Sequence, residues 1–130
     1  MSINEISDLH LLVEFYSKST NKISKHKYDL YENYTRLFSK LGYKPLFEAS
    51  KKIPPSAFIV KEKNESLLIR LKEKLNLIGI ESSVYYGNGG YFLPLHQNIG
   101  EGMLNYIVEN FHENYLLCQK ELSQTRFKTE

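Results

Sequence analysis

The stretch that decides the fold class is Val84-Tyr85-Tyr86-Gly87-Asn88-Gly89-Gly90-Tyr91-Phe92-Leu93-Pro94-Leu95. An Asn-Gly pair supplies the two positive φ values that a tight hairpin turn needs. The residues before the turn, with Val84 and Tyr86, form one predicted strand. Residues 91–95 are predicted to return antiparallel to it. The sequence therefore contains an antiparallel strand pair joined by a tight turn.

Elements of helical and strand character flank this hairpin. A helix is predicted from Asn64 to just before Gly79, with leucines on one face (Leu68, Leu71 and Leu75). After Gly100 a last helix shows apolar residues at helical spacing: Leu104, Ile107, Val108, Phe111 and Tyr115. Residues 57–60 (Ala-Phe-Ile-Val) indicate a short buried strand, and Leu46-Phe47 indicate an edge strand between prolines.

Two more helices are predicted near the N-terminus. The first follows a Ser-x-x-Glu capping box at residues 2–5. Its apolar residues leave little polar face and must be covered on more than one side: Ile6, Leu9, Leu11, Leu12, Val13, Phe15 and Tyr16. The second has a stripe of Ile23, Leu30, Tyr34, Leu37 and Leu41, flanked by Tyr31 and Phe38. Gly42 supplies its C-terminal stop.

The predicted order is helix, helix, strand, strand, helix, strand, strand, helix. This order is typical of an α+β domain in which a small, mostly antiparallel sheet is covered by helices. We expect residues 1–130 to form one domain. Within it, residues 1–42 form a two-helix segment, residues 43–118 an α+β body and residues 119–130 a frayed tail.

Composition narrows the function classes. The 130 residues include 17 Lys and Arg against 15 Asp and Glu, and this net charge of +2 is far below the basic footprint of a dedicated nucleic-acid binder. The single cysteine excludes an intramolecular disulfide and any zinc site that needs two cysteines. No apolar run is long enough to cross a membrane, and no signal-peptide pattern opens the sequence. We expect a cytoplasmic protein without nucleic-acid or membrane partners.

Few residues suggest chemistry by themselves. The four histidines, His10, His26, His96 and His112, lack the pairing that a metal site requires. Cys118 lies on the predicted inner side of the last helix, where a free cysteine packs as a small hydrophobe. The hairpin tyrosines could form a stacking platform or a phosphate cradle. A plain hairpin is favoured, because no Lys or Arg occurs between Lys74 and Lys120.

Four stretches in order resemble one protein family. In chain order, the first is Ile6-Ser7-Asp8-Leu9, and the second is Lys27 to Tyr34 followed by Leu37-Phe38-Ser39-Lys40-Leu41-Gly42. The third is Leu71 to Leu75, which leads through Gly79-Ile80 to Val84-Tyr85-Tyr86. The fourth is Phe92 to Ile99 followed by Met103 to Phe111. Together they resemble the small C-terminal domain of the DegT/DnrJ/StrS family, pyridoxal-phosphate-dependent nucleotide-sugar aminotransferases of the kind used in surface polysaccharide biosynthesis.

The resemblance implies that this chain is not catalytic alone. In that family a lysine of the large domain forms the Schiff base with the cofactor and a carboxylate pairs with its pyridine nitrogen. Neither segment is present here, so the resemblance implies no cofactor-binding or catalytic residue in this chain, and from the histidine spacing we expect no metal-binding residue. It implies an assembly or interface role, with a homodimer or a large-domain partner bound through the first helix. The chain is then a fragment or a degenerate stand-alone relative.

The departures from the family pattern concern its binding segments. The family's Asn-x-Arg ahead of the first helix is replaced, with Ile3 and Glu5 at those places. A long substrate-facing segment is reduced to the turn at residues 87–90. Pro94-Leu95-His96-Gln97 aligns with the start of the final helix, although its letters also match an element of the missing segment.

A second hypothesis comes from a different class of protein. Tyr85, Tyr86, Tyr91 and His96 could form the substrate-binding surface of a small module that takes a sugar or a nucleotide. The sequence does not decide between the two hypotheses, nor does it identify a particular sugar or pathway.

Overall fold

The computed structural model describes residues 25–47, 57–96 and 98–129. In this part of the chain, helix α1 includes residues 25–40. Strand β1 is Phe58–Lys61, helix α2 is Glu65–Leu77, strands β2 and β3 are Ser83–Tyr85 and Gly90–Leu93, and helix α3 is Glu101–Thr129. The sheet order is β1-β3-β2, and both neighbouring pairs are antiparallel. The predicted α+β class with a small antiparallel sheet is confirmed.

The central strand β3 carries the residue that joins the two halves of the sheet. Tyr91 lies opposite Val60 of β1 on one side and Val84 of β2 on the other. Since residues directly opposite each other share a face, these three side chains lie on one face, where all three are buried. The buried leucines of α2 and the buried face of α3 belong to the same hydrophobic core.

Aromatic side chains form the centre of this core. The rings of Phe38 on α1 and Phe58 on β1 are stacked with centroids 5.5 Å apart. Phe111 on α3 meets Phe38 edge to face at 5.1 Å, and Tyr34 stacks on Phe58 at 4.8 Å. Such pairs stabilise by about 0.5–1.5 kcal/mol each beyond the area they bury. They connect the second helix of the sequence to the sheet and to the last helix.

Helix α1 ends as the sequence predicts. Gly42 has φ of +91°, its N–H donates to Ser39, and the Tyr43 N–H donates to the Phe38 carbonyl at 2.9 Å. This is the Schellman arrangement, and the ring contact between Tyr43 and Phe38 adds its hydrophobic closure. The predicted stripe is wrong at its last member, because Leu41 is 39% exposed whereas the flanking Tyr31 and Phe38 are buried.

Replacing Gly42 with alanine should destabilise the protein by about 1–2 kcal/mol, since a Cβ disfavours the left-handed conformation. No atom lies within 4 Å of the added Cβ, so the cost would come from the backbone conformation alone. Urea unfolding of the variant measures it. Gly102→Ala, also in open space and without a positive φ but inside the first turn of α3, is the matched control and should not lower the midpoint. Equal losses of stability at both positions would contradict the assignment of the cost to the left-handed backbone at Gly42.

The hairpin turn differs from the prediction. Tyr85 pairs with Gly90, so four residues (86–89) form the loop. Positive φ values occur at Gly87 (+74°) and Gly89 (+68°), not at Asn88, and the Asn88 N–H donates to the Tyr85 carbonyl at 3.0 Å. This hydrogen bond closes a turn over residues 85–88, and a positive φ at its third residue, Gly87, is the type II pattern that glycine favours. The predicted positive φ at Asn88 is therefore wrong, and the loop begins one residue earlier than the predicted turn at residues 87–90, although the antiparallel return is confirmed.

The other predicted elements have mixed outcomes. In place of an edge strand at residues 46–47, the structure has an isolated bridge between Pro45 and Val60, with the Leu46 N–H donating to Ile59. Helix α3 continues to Thr129, and the Glu121 carboxylate pairs with Lys74 of α2 at 2.8 Å. The frayed tail and the division at residues 42 and 118 stay predictions. The predicted first helix lies outside the described residues.

None of the helices among the described residues is both long and apolar enough to cross a membrane.

Candidate functional site

Tyr91, one of the four predicted ligand contacts, lies in the core. Its side chain is fully buried, and its hydroxyl lies 2.6 Å from the Ser82 hydroxyl. Its ring also contacts Phe111 with centroids 5.9 Å apart. These contacts explain the position of Tyr91 by packing, so its predicted role in binding stays untested.

The other two hairpin tyrosines lie on different surfaces. Tyr85 is half-buried on the face of the sheet opposite the core, where its ring contacts Phe92 at 4.8 Å. Tyr86 follows β2 in the loop and is 53% exposed. Loop residue Gly87 is held by its N–H, which donates to the Glu65 carboxylate at 2.9 Å. The three tyrosines therefore do not converge on one pocket.

His96 borders a cleft at the other end of β3. The cleft has a volume of about 450 Å³, and its floor is apolar, formed by Ile80, Leu95, Ile99 and Ile107. The His96 Nδ1 accepts the Asn98 N–H at 3.3 Å. When the ring is neutral, this contact leaves the proton on Nε2, which can donate to a ligand. Glu81 and Asn98 add polar groups to the rim.

A polar cluster that the sequence reasoning missed lies where α3 passes the ends of α1 and β1. The Tyr43 hydroxyl lies 2.8 Å from His112 Nδ1, and the Tyr115 hydroxyl donates to the Glu62 carboxylate at 2.6 Å. The rings of Tyr43 and Tyr115 meet edge to face at 5.2 Å. We call these four residues the tyrosine–histidine cluster. Tyr43 is 69 positions from His112 in the sequence, so no local motif could reveal it.

Two adjoining clefts open beside this cluster. One, of about 590 Å³, lies between the end of α1, the end of β1 and α3. The other, of about 790 Å³, lies between the start of α2 and the second half of α3. Both are lined by Glu62, Tyr115 and Leu116. Their size is within the range of small-molecule sites.

The raised pKa values of the two tyrosines in the cluster favour hydrogen bonding by the neutral phenols. Burial, and then the hydrogen bond to Glu62, raises the pKa of Tyr115 to about 12. Burial also raises the pKa of Tyr43, with the charge of Glu62 as a smaller cause. Both phenols therefore stay protonated at neutral pH, and the Tyr115 hydroxyl donates to Glu62. The arrangement can bind and orient a polar ligand, but neither tyrosine is prepared to abstract a proton.

Alkaline pH should destabilise the fold through the buried tyrosines. Burial raises the pKa of Tyr91 to about 12, and the hydrogen bond with Ser82 offsets part of this increase. A tyrosine in the unfolded chain titrates at about pH 10. The stability contributed by the neutral, buried Tyr91 is therefore fully present below about pH 10 and is lost as the pH rises through about 12. Urea unfolding at about pH 8 and about pH 11 should show the loss.

The Tyr91→Phe variant is the control for this pH dependence. It removes one hydrogen bond, at a cost of about 1 kcal/mol near neutral pH. Between the two pH values its unfolding free energy should fall less than that of the unmodified protein. An identical fall in both proteins would contradict the role of Tyr91.

Cys118 is fully buried, and its predicted packing role is confirmed. Burial raises the pKa of its thiol, with the charge of Glu121 as the next cause. A raised pKa and burial both disfavour the reactive thiolate. Within the described ranges, no group of three or more His, Cys, Asp or Glu side chains is placed to hold a metal ion.

Comparison with known proteins gives a match in structure alone. No family model and no curated protein sequence matches this chain. Among solved structures, the apo form of Spr1654 from Streptococcus pneumoniae, assigned as a sugar aminotransferase, matches with a TM-score of 0.68 and 17% identity, over 79% of this chain and 33% of that chain. Its PMP form matches with a TM-score of 0.65 and 16% identity, over 75% of this chain and 32% of that chain.

A second protein has a similar structure. The serine palmitoyltransferase of Sphingomonas wittichii matches with a TM-score of 0.56 and 14% identity, over 73% of this chain and 25% of that chain. At these identities the matches establish a shared fold. This chain spans about a third of the length of Spr1654 and a quarter of that of the palmitoyltransferase.

Proposed function

We propose that this chain is the small C-terminal domain of a nucleotide-sugar aminotransferase-like protein of the DegT/DnrJ/StrS family, without catalytic activity of its own and with a role in assembly. The observation that carries the proposal is the match to Spr1654, which covers 79% of this chain but only 33% of the larger protein. The order of the family-like sequence stretches supports the same assignment. The chain is then a piece of a longer protein or a free-standing relative.

Pyridoxal phosphate is the cofactor that this family implies. The described residues do not fit it, since the cofactor requires an enclosed lysine for its Schiff base and no described lysine is buried. Lys44, Lys61, Lys63 and Lys120 lie at the clefts beside the tyrosine–histidine cluster and are all exposed. We therefore place the cofactor in a large domain outside this chain and derive no reaction step here.

Reductive labelling with pyridoxal phosphate tests this assignment. The purified chain is incubated with the cofactor and reduced with borohydride, and the labelled lysines are identified by peptide mass spectrometry. We expect weak labelling spread over exposed lysines, with the same distribution after unfolding in urea. A single lysine labelled stoichiometrically in the folded chain alone, together with a visible absorption band, would contradict the proposal.

The assembly role has partners of two kinds, a second copy or a large-domain protein. The predicted first helix is the surface we propose for either, because its apolar residues extend around most of the helix and need cover. A cytoplasmic location belongs to the same proposal, since the single free cysteine, Cys118, fits a reducing compartment.

The second candidate, a small module that binds a sugar or nucleotide, is favoured by the cleft at His96. A fixed imidazole donor above an apolar floor suits the polar edge and apolar face of a sugar ring. Calorimetry with a nucleotide sugar tests it. Binding that is lost in His96→Ala and kept in Glu73→Ala, an exposed position on α2 that does not line the cleft, would support it. Absence of heat would remove it.

A further inference from the structure

An exposed apolar area surrounds the His96 cleft. Leu77 at the end of α2 is 86% exposed, and Met103 on α3 is 53% exposed. Ile78 and Tyr106 connect them, since the Tyr106 hydroxyl donates to the Ile78 carbonyl at 3.1 Å. Met103 also lines the cleft itself. We call Leu77, Ile78, Glu81, Met103 and Tyr106 the acidic apolar surface.

The sequence segment that holds most of the acidic apolar surface carries acidic residues and no Lys or Arg. Between residues 75 and 119 there is no Lys or Arg, whereas glutamates occur at 81, 101, 109 and 113. Glu81 lines the cleft and is exposed. Within the part of the chain that the structure describes, no ion pair forms with Glu81. An apolar area with an unpaired carboxylate at its edge is suited to a partner that presents basic side chains.

The same chain carries a segment of the opposite charge. Residues 18–27 contain four lysines and no acidic residue. Of these, Lys25 is exposed and Lys27 half-exposed on α1. Lys25 has Asp29 four positions later on the same helix, but the two form no ion pair among the described residues. Lysine side chains can lay their methylene stems on apolar surface while the ammonium group reaches a carboxylate.

We propose that the acidic apolar surface docks the basic end of α1 from a second copy of this chain. Lys25 and Lys27 of one copy would lie over Leu77 and Met103 of the other, with their ammonium groups near Glu81. The two surfaces are different parts of the molecule, so the contact is heterologous and forms rings or filaments according to its rotation. The proposal deepens the assembly role and does not use the predicted first helix.

Sedimentation equilibrium of the full chain over a range of salt concentrations tests the contact. We expect self-association that weakens as salt screens the charges. Glu81→Lys should weaken it by about tenfold or more, as should the pair Lys25→Glu with Lys27→Glu, and the combination of all three should restore part of it. Leu77→Ser should weaken association without affecting folding, because Leu77 is exposed.

The matched control is Lys61→Glu with Lys63→Glu, which makes the same change in net charge at two exposed positions, the last residue of β1 and the second residue after it. It should leave association unchanged. A monomer at every protein and salt concentration would overturn the contact, as would association that none of the reversals alters. Either result leaves the labelling test of the non-catalytic assignment unaffected, so the two proposals fail separately.

Discussion

Replacing Phe38 with alanine should lower the free energy of unfolding by about 3–5 kcal/mol. Phe38 is fully buried. Its ring contacts Phe58 of the sheet at 5.5 Å, Phe111 of α3 at 5.1 Å and Tyr43 at 5.6 Å. The truncation leaves a cavity where three elements meet, and neighbouring rings collapse only partly into such a space. Urea or thermal unfolding followed by circular dichroism measures the loss.

The size of the loss in unfolding free energy decides whether the Phe38→Ala variant stays folded. Domains of this size are stable by about 5–15 kcal/mol, so the expected loss is a large share of the total. Leu41→Ala on the same helix is the control, because Leu41 is 39% exposed and its truncation should cost at most about 1 kcal/mol. If both variants lost the same stability, the aromatic centre would not be the main core of the protein.

Replacing Gly90 with alanine should cost about 1–3 kcal/mol by overpacking. A Cβ at this position would lie 2.6 Å from Ile59 Cγ2, 3.1 Å from Leu46 Cδ2 and 3.4 Å from the Val60 carbonyl oxygen. The methyl group of Ile59 is attached at a branched Cβ, whose χ1 is stiff, so it cannot rotate away freely. Strand β3 or β1 must shift, which weakens the pairing between Gly90 and Lys61.

Gly102→Ala is the control for this clash. Gly102 lies in the first turn of α3 with no atom within 4 Å of an added Cβ. Alanine there should be neutral or stabilise by up to about 1 kcal/mol, because glycine is a poor helix former. The two glycine variants differ only in local surroundings, so thermal midpoints that move in the same direction would contradict the packing at Gly90.

Local signals explain why much of the fold could be predicted from the sequence. The stop at Gly42 and the leucine face of α2 depend on residues within a few positions of each other, and both are found as expected. The prediction for Leu41 is wrong because helical periodicity shows which face of a helix is apolar, but not how far the elements that cover this face extend along it. At the end of α1 the chain turns at Gly42 and leaves Leu41 partly uncovered.

The hairpin shows a different limit. Asn88-Gly89 has the composition of a tight turn, but Gly87 and Gly90 on either side allow other registers. The chain adopts the register in which Gly90 pairs with Tyr85 and lies against Leu46 and Ile59, where an added Cβ would clash. Tertiary packing therefore placed the four-residue loop one position earlier than predicted, at residues 86–89, and no signal within the turn itself could have shown it.

The candidate site was the least predictable part. His96 was identified from its neighbours in the sequence and does border a cleft. The tyrosine–histidine cluster depends on contacts between residues separated by 53 and 69 positions. Such contacts require the packing of α3 against the ends of α1 and β1, which a single sequence does not specify.

The functional proposal depends on one structural claim. This chain alone forms the β1-β3-β2 sheet, with the buried face of the sheet packed against the helices. Nuclear Overhauser effects between backbone protons in the purified chain test it directly. We expect cross-strand contacts from Tyr91 to Val60 and to Val84 in the same molecule. Contacts that join Val60 directly to Val84, or absence of contacts from Tyr91 to either valine, would contradict the shared fold and the assignment that follows from it.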